Sequence, residues 1–295
     1  MGSVGQALEL FLQSLELTQG QRDEVSRQHT MVREELRQRL KHKTDFLSGS
    51  YSRNTAIRPL HDIDIFVVLG DVTATPAESP DAALKRVRVA LNAWQQKDLP
   101  ILQHHSVNLE FTKSGIGFDV VPAYQQAGQE IFLIPERNTG KWVRTNPRRH
   151  QDISTQCNER AGKKLKPLIK AVKHWNRRQN SSPLGSFHLE VMCYEAFSSP
   201  PAGYLEGLEA LYSHLAQRVM RPCPDPAGLG ENVDARVSSG QREAARNLFQ
   251  GAARTLRLAR EDRDKGSGGN GSGSSGPGGA HARLKEFFGN DYRER

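Results

Sequence analysis

The sequence predicts an α+β fold, in which a mixed sheet with flanking helices is followed by a helical domain. Up to about Tyr124, segments with strand periodicity alternate with segments of helical periodicity. After residue 146 the apolar spacing is helical in each segment, from "NERAGKKLKPLIKAVKHWNRRQ" to "SSGQREAARNLFQGAARTLRLARED". We therefore predict a first domain over 1–145 and a helical domain over 146–295.

The elements of the first domain follow from local patterns. Apolar residues recur at helical spacing from Val4 to Leu40, with "LTQGQ" as a break between two helices. Phe46 and Leu47 then end an entry strand or helix, and Gly49 permits a tight turn. The end of "DIDIFVVLG" is apolar on both faces, as in a covered central strand. "AALKRVRVALNAWQQ" is an amphipathic helix, and alternation on both sides of "KSG" in "HHSVNLEFTKSGIGFDVVPAY" predicts a hairpin.

The helical domain contains one segment that cannot form a core. The stretch "GSGGNGSGSSGPGG" at 266–279 predicts a flexible loop or linker. Behind it, "ARLKEFFGNDY" carries Leu284, Phe287, Phe288 and Tyr292. These apolar residues predict that the segment docks as a last helix.

Composition limits the class of protein. The 295 residues are 36% hydrophobic and carry a net charge of +8, which favours an anionic partner such as a nucleotide, a nucleic acid or an acidic lipid surface. Three cysteines without CxxC spacing indicate neither a disulfide framework nor a structural zinc site, and fit a reducing cytosol. Because no apolar stretch is long enough to span a bilayer, we expect a cytoplasmic protein without a membrane partner.

Two aspartates in "DIDIF" are the first candidates for chemistry. Asp62 and Asp64 project from the same strand face because side chains alternate along a strand, and two adjacent carboxylates repel unless a cation lies between them. Two Mg²⁺ ions about 3.5–4 Å apart serve in-line phosphoryl and nucleotidyl transfer. Asp119, on the returning strand of the predicted hairpin, supplies a third carboxylate. The turn at Gly49 and Ser50 directs backbone N–H groups and a hydroxyl at a triphosphate.

The order Gly-Ser, Asp-x-Asp and a later strand Asp resembles the DNA polymerase β-like nucleotidyltransferase superfamily. "GSYSRNTAIRPLHDIDIFVVL", "FDVVPAY", "FLIPERNTGKWVRTNP", "LIKAVKHWN" and "SFHLEVM" are most similar to its bacterial branch, the cGAS/DncV-like nucleotidyltransferases. The similarity runs from about Leu36 to Phe197, and more faintly to the C-terminus. It implies a polymerase β-like core packed on a C-terminal helical domain, bilobal with a central active-site cleft.

The resemblance assigns roles to the residues of the first domain. It implies that Asp62, Asp64 and Asp119 ligate two Mg²⁺ ions, for which Mn²⁺ substitutes. Asp119 would also lie closest to the acceptor hydroxyl and help to remove its proton. Gly49 and Ser50 would hold the donor triphosphate.

The resemblance also assigns nucleotide-binding residues in the helical domain. Lys173 and then Lys170 would reach the triphosphate, Ser186 the phosphates, and Phe187 the base. The residues themselves leave two alternatives open. The two lysines could belong to a solvated basic face with Lys163, Lys164 and Lys166, and Phe187 could be a core residue. We interpret Trp175 and Glu190 as structural, and His61 as packing on the other strand face.

The function implied by the resemblance is synthesis of a cyclic di- or trinucleotide second messenger from ATP, with GTP or other NTPs as further substrates. Such an enzyme generates the signal of antiphage (CBASS-type) defence, with a nucleotide-activated effector and a regulatory protein as partners. Activation by nucleic acid is not expected, because no Cys/His set could form the zinc element of the animal relatives. Two other functions stay open: an RNA-directed transferase of the CCA-adding or poly(A) type, and a catalytically dead nucleotide-binding module.

Overall fold

The chain folds into two compact units. Its structure is a computed structural model that describes residues 3–60, 62–94, 99–111, 114–179, 184–267 and 279–293. The sheet unit consists of Leu17–Asp152 and Pro226–Gly230. The helical unit consists of Met1–Glu16, Ile153–Asp225 and Glu231–Arg295.

The regular elements are numbered in chain order. The strands are β1 (Thr44–Ser48), β2 (Asp62–Val72), β3 (Ile101–Leu102), β4 (Val107–Phe111), β5 (Ile116–Gln126), β6 (Phe132–Glu136) and β7 (Lys141–Thr145). The helices are α1 (Val4–Ser14), α2 (Gln19–Arg39), α3 (Gly49–Ser52), α4 (Pro80–Asn92), α5 (Pro147–Arg160), α6 (Leu165–Arg177), α7 (Ser186–Cys193), α8 (Tyr204–Arg218), α9 (Ser239–Ser267) and α10 (Ala280–Phe288).

The seven described strands form one mixed sheet, which confirms the predicted α+β fold with a mixed sheet and flanking helices. The strand order is β1-β2-β5-β4-β3, and β6 and β7 extend from β5. Strands β2 and β5 are parallel, whereas the other pairs are antiparallel. The predicted hairpin is formed by β4 and β5, in which Leu109 pairs with Phe118.

The two faces of the sheet bury different clusters. Ile63, Ile65 and Val67 of β2 pack in a core that also contains apolar residues of α2 and α4. Phe66 and Val68 belong to a separate cluster with residues of β5 and β6. Because side chains alternate along β2, its even-numbered carboxylates lie on the face opposite α2 and α4.

The predicted helix pair at the start of the chain is confirmed. Each helix begins with a capping box, formed by Ser3 and Gln6 in α1 and by Thr18 and Gln21 in α2. The apolar face of α1 is buried in the core of the helical unit, although sequence analysis grouped residues 1–16 with the first domain. The domain limits 1–145 and 146–295 stay a prediction.

The structure differs from the prediction in two segments. The helical pattern of 158–179 is interrupted, since α5 ends at Arg160 and the next residues include Gly162 and Lys163 with φ of 61° and 65°. A left-handed residue ends a helix because it turns the chain out of the helical path. The hairpin of β6 and β7 was not predicted, because its strands are short and joined by a polar turn.

The C-terminal segment docks as predicted, with Leu284, Phe288 and Tyr292 buried in the helical unit. In the predicted linker at 266–279, helix α9 continues to Ser267 and Gly279 caps α10. Residues 268–278 lie outside the described residues, as does His61. Among the described helices, none is both long enough and apolar enough to cross a membrane.

Candidate active site

One row of polar residues crosses four neighbouring strands of the sheet. Ser48 of β1 pairs with Asp64 of β2, Asp64 pairs with Asp119 of β5, and Asp119 pairs with Asn108 of β4. Paired residues of adjacent strands project from the same face, so Asp64 and Asp119 stand side by side. Asp62 lies two residues earlier on the same face and is exposed. The sheet thus brings the three predicted carboxylates together.

The carboxylates of this row are electrostatically unfavourable in their ionised form. Burial raises the pKa of Asp64 to about 6, and the charges of Asp119 and Asp62 act in the same direction. The guanidinium of Arg53, which is buried, partly offsets this increase in pKa. Burial also raises the pKa of Asp119, and the charge of Asp62 adds to that increase. A cation bound here would relieve both carboxylates.

Asn108 and Ser106 hold the Asp119 carboxylate. The side-chain amide of Asn108 donates a hydrogen bond to Oδ1 of Asp119 at 2.9 Å. Hydrogen bonds from Asn108 and Ser106 lower the pKa of Asp119, against the effect of burial. Both residues therefore favour the ionised form that a metal ligand or proton acceptor requires.

The predicted Gly-Ser turn lies directly against the carboxylates. Gly49 follows β1, has φ of 65°, and begins the single turn of α3. A Cβ atom at Gly49 would overlap the Asp64 carboxylate, so glycine is required both by the backbone angle and by space. The carbonyl of Ser50 accepts hydrogen bonds from the N–H groups of Thr55 at 2.9 Å and Ala56 at 3.0 Å, which close the turn.

The donor set fits a divalent cation in its chemistry. Carboxylate oxygens are the ligands that Mg²⁺ prefers. Because the pKa values of Asp64 and Asp119 are raised, a bound cation would stabilise their ionised forms. In the described ranges, however, no group of three or more His, Cys, Asp or Glu side chains is arranged to hold a metal ion. The assignment of a metal to Asp62, Asp64 and Asp119 therefore stays a prediction.

The two predicted lysines lie on α6 in the helical unit, and each is part of an ion pair. Lys173 donates to Glu190 Oε2 at 3.0 Å, and Tyr194 donates to Glu190 Oε1 at 2.9 Å. Lys170 donates to Glu16 at 2.5 Å. The side chains of Lys170 and Lys173 are only 6% and 4% exposed, so neither lies on a solvated face. Their role in nucleotide binding stays a prediction.

Ser186 and Phe187 form the first turn of α7, where Ser186 is exposed. Phe187 is half-buried and packs against the core of the helical unit. Trp175 is structural, as predicted, with its ring stacked on Phe287 at 5.7 Å. Glu190 is also structural, since it is fully buried and neutralises Lys173.

Sequence reasoning missed Asn108 and Arg53. The alternation of "VNLEF" placed Asn108 opposite the buried Val107 and Leu109, which was a signal that this face was not core. The cross-strand register that brings Asn108 to Asp119 was not readable from the sequence. Arg53 follows the Gly-Ser turn by three residues and gave no separate signal.

Comparison with known proteins identifies the family. The family described as "Second Messenger Oligonucleotide or Dinucleotide Synthetase domain" (SMODS) matches residues 2–158. A cyclic AMP-AMP-AMP synthase of Acinetobacter sp. is 32% identical over 219 residues, which are 68% of this chain and 62% of that protein. This chain matches three curated relatives, and it spans 57% to 64% of the length of each.

Solved structures share the fold. CdnC of E. coli MS115-1, solved with ATP, is 19% identical with a TM-score of 0.75, covering 98% of this chain and 99% of that chain. The complex of the same CdnC with HORMA-deltaN gives the same identity and TM-score, and covers 98% of both chains. DncV cyclic AMP-GMP synthase of Vibrio cholerae is 12% identical with a TM-score of 0.75, covering 99% of this chain and 98% of that chain. With a matching domain over more than half of its residues, the chain belongs to the SMODS family, the cGAS/DncV-like nucleotidyltransferases.

Proposed function

We propose that this chain is a Mg²⁺-dependent nucleotidyltransferase that makes a cyclic oligonucleotide from ATP. The observation that carries the proposal is the pairing of Asp64 with Asp119 beside the Gly49 turn. This arrangement combines a site for positive charge with a backbone turn that is free of side-chain bulk. Nucleotidyl transfer needs both features, because a triphosphate and its metal ions must approach the same carboxylates.

The proposed reaction is attack of a ribose hydroxyl on the α-phosphate of a donor NTP, with release of pyrophosphate. Asp119, held by Asn108, accepts the proton of the attacking hydroxyl. The N–H groups of the turn at Gly49 and Ser50 orient the donor triphosphate. Asp62, Asp64 and Asp119 would hold Mg²⁺, which supplies neutralisation of the charge that develops on the phosphates. A last transfer, in which the linear product is the donor, closes the ring; it is the third transfer for a trinucleotide and the second for a dinucleotide.

The substrate and ring size are proposed from the relatives. The 32%-identical protein is named for a product with three AMP units, which supports ATP as the substrate and a trinucleotide product. A cyclic dinucleotide is the alternative product, with GTP or another NTP as the second substrate. We also propose that Lys170, Lys173, Ser186 and Phe187 contribute to nucleotide binding.

We further propose that the product is a signal in antiphage defence and activates a separate effector protein. CdnC, whose fold this chain shares, has been solved in complex with HORMA-deltaN, which supports a regulatory protein as a partner. The three cysteines are buried free thiols, which suits a reducing cytoplasm.

The test is product analysis. The protein is incubated with each labelled NTP and Mg²⁺ or Mn²⁺, treated with phosphatase, and resolved by chromatography and mass spectrometry. We expect a phosphatase-resistant product from ATP that is absent with Asp62→Asn/Asp64→Asn. Linear products alone, or products that form only when RNA is added, would replace the proposal with an RNA-directed transferase.

A further inference from the structure

One cavity of the sheet unit lies away from the carboxylates. It has a volume of about 590 Å³ and is lined by Ala74, Thr75, Gln126, Leu133, Gly140, Lys141, Trp142 and Arg144. We refer to it as the Trp142 cavity. Gln126 is the last residue of β5, seven residues after Asp119. At about 3.3 Å per residue, the two positions are about 23 Å apart along the strand, so the cavity is separate from the candidate active site.

The cavity offers two cations that no carboxylate of the described residues neutralises. Lys141 and Arg144 are exposed, and among the described ion pairs neither has a carboxylate partner. Some other exposed cations of the sheet unit are paired: Lys43 contacts Asp71, and Lys85 and Arg137 both contact Asp81. Two cations that line the same cavity favour an anionic ligand.

The aromatic wall of the cavity is held in place. The indole N–H of Trp142 donates to the carbonyl of Glu78 at 3.3 Å. The ring of Tyr124 meets it at 83° with centroids 5.5 Å apart, and the Tyr124 hydroxyl donates to the Glu78 carboxylate at 2.5 Å. Trp142 remains only half-buried. A fixed, partly open indole is a surface on which a planar ring can stack at little entropic cost.

The third feature is an unsatisfied polar atom. The side-chain oxygen Oε1 of Gln126 is buried and has no hydrogen-bond partner within the part of the chain that the structure describes. A buried acceptor without a donor costs free energy, which a ligand N–H or O–H group would recover. Gln126 lines the cavity together with Trp142.

We propose that the Trp142 cavity is a binding site for a nucleotide, distinct from the catalytic carboxylates. The base stacks on Trp142, the phosphate binds Lys141 and Arg144, and an amino or hydroxyl group donates to Gln126. A nucleotide combines a planar ring, a negative charge and hydrogen-bond donors in this way, and the cavity volume lies in the range of small-molecule sites. A nucleotide bound here can regulate the enzyme without competing for its active site.

The experiment measures binding of AMP to the intact protein in EDTA, by calorimetry and by quenching of tryptophan fluorescence. We expect saturable binding that Lys141→Ala/Arg144→Ala weakens at least about tenfold, because two charged hydrogen bonds are lost. Trp142→Phe is expected to weaken binding less and to abolish most of the quenching. Lys85→Ala/Arg137→Ala, which removes the same charge elsewhere in the sheet unit, is expected to leave binding unchanged.

Two further measurements distinguish the Trp142 cavity from the carboxylate site, and AMP from inorganic phosphate as the ligand. Asp62→Asn/Asp64→Asn should bind AMP as the wild type does, whether or not the wild type makes a product. The proposal is overturned if AMP does not bind, if binding survives Lys141→Ala/Arg144→Ala, or if it is lost with the carboxylate variant. It is also overturned if inorganic phosphate competes as strongly as AMP, since the site would then recognise an anion alone. Thermal melts confirm that each variant is folded.

Discussion

At the scale of single residues, Gly49 shows how a missing side chain determines the site. We expect Gly49→Ala to reduce nucleotidyl transfer by about 100-fold or more, because the new Cβ would displace the Asp64 carboxylate. Its φ of 65° also strains any other residue, so the free energy of unfolding should fall by about 1 kcal/mol or more. Pyrophosphate release and urea unfolding measure the two effects.

Gly128→Ala is the matched control for Gly49→Ala. Gly128 has φ of 73°, but a Cβ there would meet no atom within 4 Å. Gly128→Ala should therefore lower the free energy of unfolding by a similar amount and retain nucleotidyl transfer activity. Equal loss of activity in both variants would mean that the contact with Asp64 is unimportant.

Asn108 is the residue that we expect to set the protonation of Asp119. Because its hydrogen bond lowers the pKa of Asp119, Asn108→Ala should raise that pKa further. The acidic limb of the pH–rate profile should then move to higher pH, with a loss of activity of about tenfold near neutral pH. A profile that only scales down, without moving along the pH axis, would assign Asn108 a purely structural role.

At the scale of elements, helix α1 is part of the core of the helical unit. Phe11 is 2% exposed, and the centroids of its ring and of the Phe288 ring are 4.3 Å apart. Its neighbour Leu10 is 44% exposed. We expect Phe11→Ala to lower the free energy of unfolding by about 3–5 kcal/mol, and Leu10→Ala to change it by less than about 0.5 kcal/mol. Urea denaturation of the two variants provides the comparison. Similar losses would show that α1 does not dock by this face.

The elements also show where local sequence patterns are enough to predict secondary structure. Long segments with a clear period, such as β2, α4 and the pair of β4 and β5, were predicted, because their apolar spacing matches a single geometry over many residues. The break between α5 and α6 was missed, because the residues on both sides keep a helical apolar spacing across Gly162 and Lys163. The hairpin of β6 and β7 was missed because each strand has only five residues.

At the scale of the whole molecule, the carboxylate row should appear in the pH dependence of stability. The pKa of Asp64 is about 6 in the folded chain and 3.8 as its ordinary value, so the folded state binds this proton more tightly. Stability from this group is therefore present below pH 3.8 and lost as the pH rises through 6, by an amount on the order of 3 kcal/mol. In EDTA, Asp64→Asn should be more stable than the wild type at pH 7.5, and the difference should shrink toward pH 4.

The stabilisation of the folded protein by Mg²⁺ is a second test of the same carboxylates. A cation that binds only the folded state stabilises it, so Mg²⁺ should raise the unfolding midpoint of the wild type more than that of Asp64→Asn. If Asp64→Asn is not stabilised in EDTA at pH 7.5, the carboxylate is not a source of electrostatic cost in the folded protein.

The sequence by itself determined the type of each long element, and it predicted the three aspartates and the Gly-Ser turn as the candidate site. It did so because strand alternation and motif order are local properties of the chain. Only the tertiary structure decided that Ser48, Asp64, Asp119 and Asn108 form one row, and that Lys173 is buried against Glu190. Strand register and burial depend on contacts between residues that are distant in sequence, and no local pattern contains them.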